Sequence, residues 1–168
     1  MRGFNSITPG ELNGNIFRMI GDQWMLIGAG SVEKHNMMTA SWGAAGILWN
    51  KPVAVIFVRP SRFTYQFIEK GGMFTLNFFG ESRRDTLNFC GSRSGRDVNK
   101  TRECGLTPLG TESGALGFAE AEIVMECKKI YFNDLVPGNF IDPSIEKNYN
   151  GKDYHRMYIA EILRVHVK

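Results

Sequence analysis

The sequence offers little sulfur chemistry. Its three cysteines, Cys90, Cys104 and Cys127, lie far apart and form no C-x-x-C. Neither a redox pair nor a zinc knuckle is spelled out. An odd number of thiols fits a reducing cytoplasm. Histidine is equally scarce. His35, His155 and His166 have no carboxylate at metal-ligand spacing, which argues against a metal site. His166, inside the last apolar pattern, reads as exposed. Long apolar runs are missing too. The longest clean one, Val53 to Val58, is far too short to span a bilayer. The start, MRGFNSITPGELNGN, lacks the apolar stretch of a signal peptide, which again points to the cytoplasm. The net charge of +3 is too small for a strongly basic nucleic-acid surface. With no repeat and no linker, 168 residues suit a single domain, 1–168. A chain of that length buries roughly two thirds of its unfolded surface and needs no staple to fold.

Several nucleotide and catalytic motifs also fail. IGAGSVE follows an apolar run and supplies Gly28 and Gly30, but Glu33 stands where a dinucleotide fingerprint needs its third glycine. There is no Walker-A sequence. Ser41 is not a nucleophile elbow, because Thr39 replaces the leading glycine of G-x-S-x-G.

What is present is mostly strand. WMLIG (24–28), VAVIFV (53–58), MFTLNFF (73–79) and AEAEIVMECKKIYF (119–132) are short apolar or β-branched runs bounded by glycine or proline. The closing MYIAEILRVHVK alternates, with Ile159, Leu163, Val165 and Val167 on one side and Glu161 interrupting it. Helix signals are few. Ser61 is placed to cap RFTYQFIEK before Gly71, and Asp97 to cap VNKTREC before Gly105. Glu81 to Cys90 is a third candidate. Breakers at Pro137, Pro143 and Gly151 make 133–153 a long loop. The sum is a mainly β fold, an antiparallel barrel with short connecting helices.

Three stretches gather polar donors or small residues. NMMTASWGAAGILWNKP (36–52) places Thr39 and Ser41 on one side of an extended chain, beside small residues that let a ligand approach the backbone. A glycine-rich turn packed in the core fits that composition equally well. Trp49 is assigned to packing. FVRPSRFTYQFIEK (57–70) clusters Arg59, Ser61, Arg62 and Thr64 where a strand ends and a helix begins. Free N–H groups and two arginines there suit a phosphate. CGSRSGRDVNKTREC (90–104) adds Ser92, Ser94, Gly95, Arg96 and Lys100 as a basic loop able to clamp the same anion. His155, entering the last strand, is of a residue type whose ordinary pKa lies near neutrality, and its ring can hydrogen-bond a heterocycle.

NMMTASW…LWNKPVAVIFVRPSRFTYQFIE, GSRSGRDVNK and the His155-to-Glu161 spacing together resemble the flavin reductase-like family, its flavoredoxin branch most of all. The resemblance covers roughly residues 15 to 167. It implies a six-stranded antiparallel Greek-key FMN-binding split β-barrel, forming a homodimer with the flavin near the interface. Met38, Thr39, Ala40, Ser41 and Trp42 would line the isoalloxazine. Arg59, Ser61, Arg62 and Thr64, with Ser94, Gly95 and Lys100, would surround the phosphate. Tyr65 would pack near the flavin, and His155 would lie by its reactive face. Phe63 stands where the family often has tyrosine. Ala160 stands where many reductases have glycine, which puts the approach of a nicotinamide in question. The implied function is an FMN-dependent oxidoreductase, a flavin reductase drawing hydride from NAD(P)H. The alternative is a flavoredoxin-type electron carrier, reduced by a partner protein and serving an acceptor protein. A barrel that binds no flavin is the third possibility.

Overall fold

The computed structural model describes residues 1–168. In chain order it contains β1 (Asn5–Ile7), α1 (Ile16–Arg18), β2 (Met25–Gly30), β3 (His35–Ala40), β4 (Gly43–Leu48) and β5 (Lys51–Val58). There follow α2 (Phe63–Lys70), β6 (Met73–Phe78), α3 (Arg84–Ser92), α4 (Lys100–Glu103), β7 (Pro108–Gly110), β8 (Leu116–Phe118), β9 (Ile123–Asp134) and β10 (Arg156–Val167). A π turn continues α1 through Met19–Gln23.

One antiparallel sheet runs β3-β2-β6-β9-β10-β5-β4, and β1 joins β10 where β5 has left it. That makes eight strands where the resemblance implied six. The mainly β, antiparallel character holds. β3 and β4 are the two edges of the sheet, yet only Ser41 and Trp42 separate them in sequence. Three Cα steps of about 3.8 Å cannot reach across a flat sheet of this width. The sheet therefore curls until its edges nearly meet, but no hydrogen-bonded ladder joins them. The barrel is split, and Ser41–Trp42 stands at the split.

Period-two alternation divides the core. Met25, Ile27 and Ala29 of β2 point into the barrel with Ile56, Phe74 and Tyr158. Leu26, between them, faces outward to a second cluster with Met37, Leu87, Cys90 and Phe118. That second cluster fixes α3 against β2 and β3. Each fully buried large side chain contributes roughly 1.5–3 kcal/mol.

Four expectations change. β10 carries register shifts between Ile159 and Ala160 and between Ile162 and Arg164. They turn Leu163 out to 42% exposure and bring Ile162 in. His166 is buried rather than exposed, because its ring pairs with Glu126 on β9. Trp49 is an exposed turn residue rather than a packed one. It and Asn50 both have positive φ (51° and 57°), the geometry that lets a two-residue turn join twisted strands. The helix caps move as well. Arg62 replaces Ser61 at α2 and makes no side-chain capping bond, while Asn99 replaces Asp97 at α4 and accepts from the Arg102 N–H.

Candidate functional site

Two small clefts abut beside the split. The first holds about 180 Å³ and lies between β3, the start of α2 and the loop after α3. Arg62, Arg93, Arg96 and Lys100 line it with Ser61, Thr64, Ser92 and Ser94, and no carboxylate does. Such a donor set, one sign of charge with hydroxyls, suits an anion. No side chain caps α2, and Phe63 and Thr64 of its first turn line this cleft, where a helix start is favourable to an anion.

The loop sits close because Gly95 has no side chain. A Cβ there would come within 2.1 Å of Asn36 Oδ1. Asn36 in turn donates through Nδ2 to the buried Thr64 hydroxyl at 2.8 Å. Lys100 is buried. Its ammonium donates to the carbonyls of Met37 at 2.9 Å and Cys90 at 2.7 Å, tying α4 to β3 and α3. Burial holds its pKa below the usual lysine value, partly offset by the nearby thiols. Lys100 therefore shapes the loop and adds charge to the cleft. Arg96 donates to the Ser61 carbonyl at 3.1 Å and lies over the Phe63 ring. Arg62 donates to the Gly91 carbonyl at 2.9 Å.

The second cleft, also about 180 Å³, is lined by Met38, Ala40, Ser41, Trp42, Phe57, Arg59, Arg62 and His155. It shares Met38 and Arg62 with the first. Trp42 leans on the His155 ring at 5.4 Å between centroids. His155 is itself buried against Phe57 and Tyr149, and its Nδ1 is hydrogen-bonded to the Tyr149 hydroxyl at 3.0 Å. Burial, then the Arg59 charge, pushes its pKa down to about 4, so the imidazole is neutral at physiological pH. A phenol donates more readily than it accepts, which leaves the ring proton on Nε2.

Arg59 belongs to this second cleft rather than to the anion cleft. It donates to the Asn148 carbonyl at 2.6 Å and lies 5.2 Å from the Tyr149 ring centroid. Its role is to hold the 137–153 segment over the barrel. Ser61 lines the anion cleft, but its hydroxyl donates to Asp153 at 2.6 Å.

The expected residues divide accordingly. Ser61, Arg62, Thr64, Ser94, Gly95 and Lys100 come together in the anion cleft, and Met38, Ala40, Ser41, Trp42, Arg59 and His155 in its neighbour. Thr39 does not share a side with Ser41. β3 ends at Ala40, and the Thr39 hydroxyl turns the other way to donate to the Leu87 carbonyl on α3. Tyr65 lines neither cleft. It packs on the barrel core below the Arg156 guanidinium. Ala160 is wholly buried in the barrel core and lines neither cleft. Sequence reasoning missed Asn36, Phe57, Arg93 and Tyr149. Only Arg93 carried a signal, as a further cation in an already basic loop.

A third, larger cavity of about 610 Å³ adjoins the second cleft through Ser41, Trp42 and Phe57. No charged residue lines it. No helix is long and apolar enough to cross a membrane.

Paired clefts of this kind, one cationic and one aromatic, fit a phosphorylated molecule with a planar head group. Known proteins give the pattern a family. The profile of the flavin reductase like domain matches residues 17–168. Among solved structures, an FMN-binding domain of a flavin reductases-like enzyme from Shewanella baltica superposes with a TM-score of 0.70 at 21% identity, over 98% of this chain and 76% of that one. A flavoredoxin from Methanosarcina acetivorans gives 0.68 at 21% identity, covering 87% and 68%. Nitrilotriacetate monooxygenase component B from Bacillus cereus gives 0.67 at 20%, covering 99% and 83%. No curated protein sequence matches. The matched profile covers most of the chain, and the chain belongs to the flavin reductase-like domain family.

Proposed function

We propose that this chain binds FMN and acts as a flavin oxidoreductase, with NAD(P)H as its electron donor. The observation that carries the reading is the junction of the two clefts. Four cations and no carboxylate stand on one side, and on the other an aromatic wall of Trp42, Phe57 and neutral His155, with Arg59 and the shared Arg62 at its margin. Arg62, Arg93, Arg96 and Lys100 would hold the phosphate with the hydroxyls of Ser92 and Ser94. Met38, Ala40, Ser41 and Trp42 would flank the ring and exclude water. Bound FMN supplies hydride acceptance and onward electron transfer, so no nucleophile or catalytic triad is required. Neutral His155 offers an Nε2–H donor beside the ring without adding a full charge.

The same reading makes the protein a homodimer. The second cleft is shallow, and Trp42 on its wall and Phe17 in the adjoining cavity are 47% and 84% exposed. A second copy laid over that rim would deepen it. One observation favours the carrier alternative. The large cavity beside the aromatic cleft has no cation to receive a nicotinamide nucleotide's phosphates. A flavoredoxin-type protein, reduced by a protein partner, has no need of one.

FMN titration monitored by flavin fluorescence tests the binding site. Arg62→Ala should weaken affinity about 10- to 100-fold, the size of one charge-assisted hydrogen bond. Unchanged affinity in Arg62→Ala and Arg96→Ala together would sink the assignment. Anaerobic mixing of the flavin-loaded protein with NADH or NADPH then separates reductase from carrier. Rapid bleaching is expected of the reductase, and a lasting yellow colour would establish the carrier.

A further inference from the structure

The anion-cleft loop begins at one cysteine and ends at another. Cys90 lies in the last turns of α3, and Cys104 follows α4. Their sulfurs are 3.8 Å apart, already in contact. Between them runs the segment 91–103, which carries Ser92, Arg93, Ser94, Gly95, Arg96 and Lys100. Lys100 donates to the Cys90 carbonyl, and Arg83 donates to the Cys104 carbonyl at 3.3 Å. Both ends of the loop are thus held in place before any covalent bond forms. We propose that Cys90 and Cys104 are a peroxide-oxidisable dithiol whose disulfide closes the anion-cleft loop into a covalent ring.

The chemistry balances with hydrogen peroxide as the oxidant. Cys104, the more exposed of the pair, attacks one peroxide oxygen as its thiolate. The O–O bond breaks, Cys104 becomes a sulfenic acid, and the departing hydroxide takes a proton to leave as water. The Cys90 sulfur then displaces the sulfenic oxygen, which leaves as a second water. Two thiols have lost two electrons, and one peroxide has gained them. The sulfurs must close from 3.8 Å to a bond of about 2.05 Å. Both partners sit at the ends of short helices, where side-chain rotation and a small shift of α4 supply the movement.

Burial raises both thiols, Cys90 to about 12, despite the opposing charge of Lys100. Little thiolate exists at neutral pH, so the first step is slow. A lock that accumulates under sustained oxidant follows, rather than a fast sensor. Cys127 is fully buried on β9, away from both, and serves as an internal control.

Bond formation does not depend on the flavin reading, and the experiment needs no flavin. The full chain is treated with hydrogen peroxide, quenched and denatured for thiol titration and mass measurement. Free thiols should fall from three to one, with loss of two hydrogens and a 90–104 cross-link within one chain. Trypsin should cut after the exposed Arg93 and Arg96 about tenfold more slowly than in the reduced protein. Dithiothreitol should restore the original rate. Cys104→Ser should show no protection after peroxide. Added oxygen on Cys104 with Cys90 still titratable, a cross-link between chains, or equal digestion of oxidised wild type and Cys104→Ser would each overturn the proposal.

Discussion

The last strand has a histidine at each end, and the two live by opposite rules. His155 precedes β10 and His166 nearly ends it; both are buried. His155 is surrounded by Trp42, Phe57 and Tyr149, with Arg59 nearby, so its charged form is disfavoured. His166 meets the Glu126 carboxylate directly, and the Ser113 hydroxyl donates to the other oxygen of that carboxylate. Burial pushes the Glu126 carboxyl up, but hydrogen bonds from Ser113, His166 and Thr111 more than reverse it and leave its pKa below the ordinary value. One end of the strand thus keeps a neutral ring beside a cleft, and the other fastens the β7–β8 hairpin to the barrel. Residue type and burial are the same at both ends, and the partner decides the role.

The largest effect that sharpens this contrast is at the fastening end. Glu126→Ala strips the partner from a fully buried imidazole and leaves Ser113 without its acceptor. Urea unfolding should show a loss of about 3–5 kcal/mol. Replacing both members, as Glu126→Leu with His166→Leu, should recover much of that loss, because an apolar pair needs no compensating charge. If the double variant is as unstable as the single one, packing rather than the His166–Glu126 hydrogen bond dominates there.

Acid separates the two ends by pH window. The folded pKa of His155 is depressed, so the unfolded chain takes up the proton first. Stability from this group is full above the ordinary value of 6.5 and declines until the folded value of about 4. The total loss across that window is about 3 kcal/mol. Glu126 behaves as a depressed carboxylate. Its contribution is full above the ordinary 4.5 and disappears only as pH falls through its lower folded value. Denaturant midpoints taken from pH 7 to 3 should therefore fall in two stages. His155→Gln should erase the upper stage and keep the lower. Loss of both stages together would mean that the two ends are not independent.

Much of this architecture is legible in the sequence, and the illegible parts share a cause. VAVIFV announces β5 because a buried central strand is apolar on both faces. GAAGIL hides β4, since an edge strand of glycine and alanine has no apolar alternation to read. The anion cleft is legible because its donors are consecutive in two short segments. Tyr149 and Asn36 are not, because their partners His155 and Thr64 are set by how a loop and a helix dock rather than by spacing. Ser61 is the clearest case. Its local pattern is that of a helix cap, but its hydroxyl bonds Asp153, 92 residues away. A tertiary partner outcompeted the local one.

The smallest effect tests a residue that the family pattern had singled out. Ala160 pairs across the sheet with Ala54 and Lys129, and its methyl group is fully buried in the barrel core. Neither cleft includes it. Ala160→Gly should therefore behave as a strand-interior glycine, losing about 0.5–1 kcal/mol through chain entropy and a little more through the vacated methyl. If the flavin-loaded wild type bleaches anaerobically with NADH or NADPH, Ala160→Gly should bleach at the same rate. A changed rate with unchanged stability would connect the middle of β10 to the cleft. That connection would have to run along the strand through Tyr158, whose hydroxyl bonds Glu69, and on to Arg156, which pairs with the same carboxylate just beyond His155.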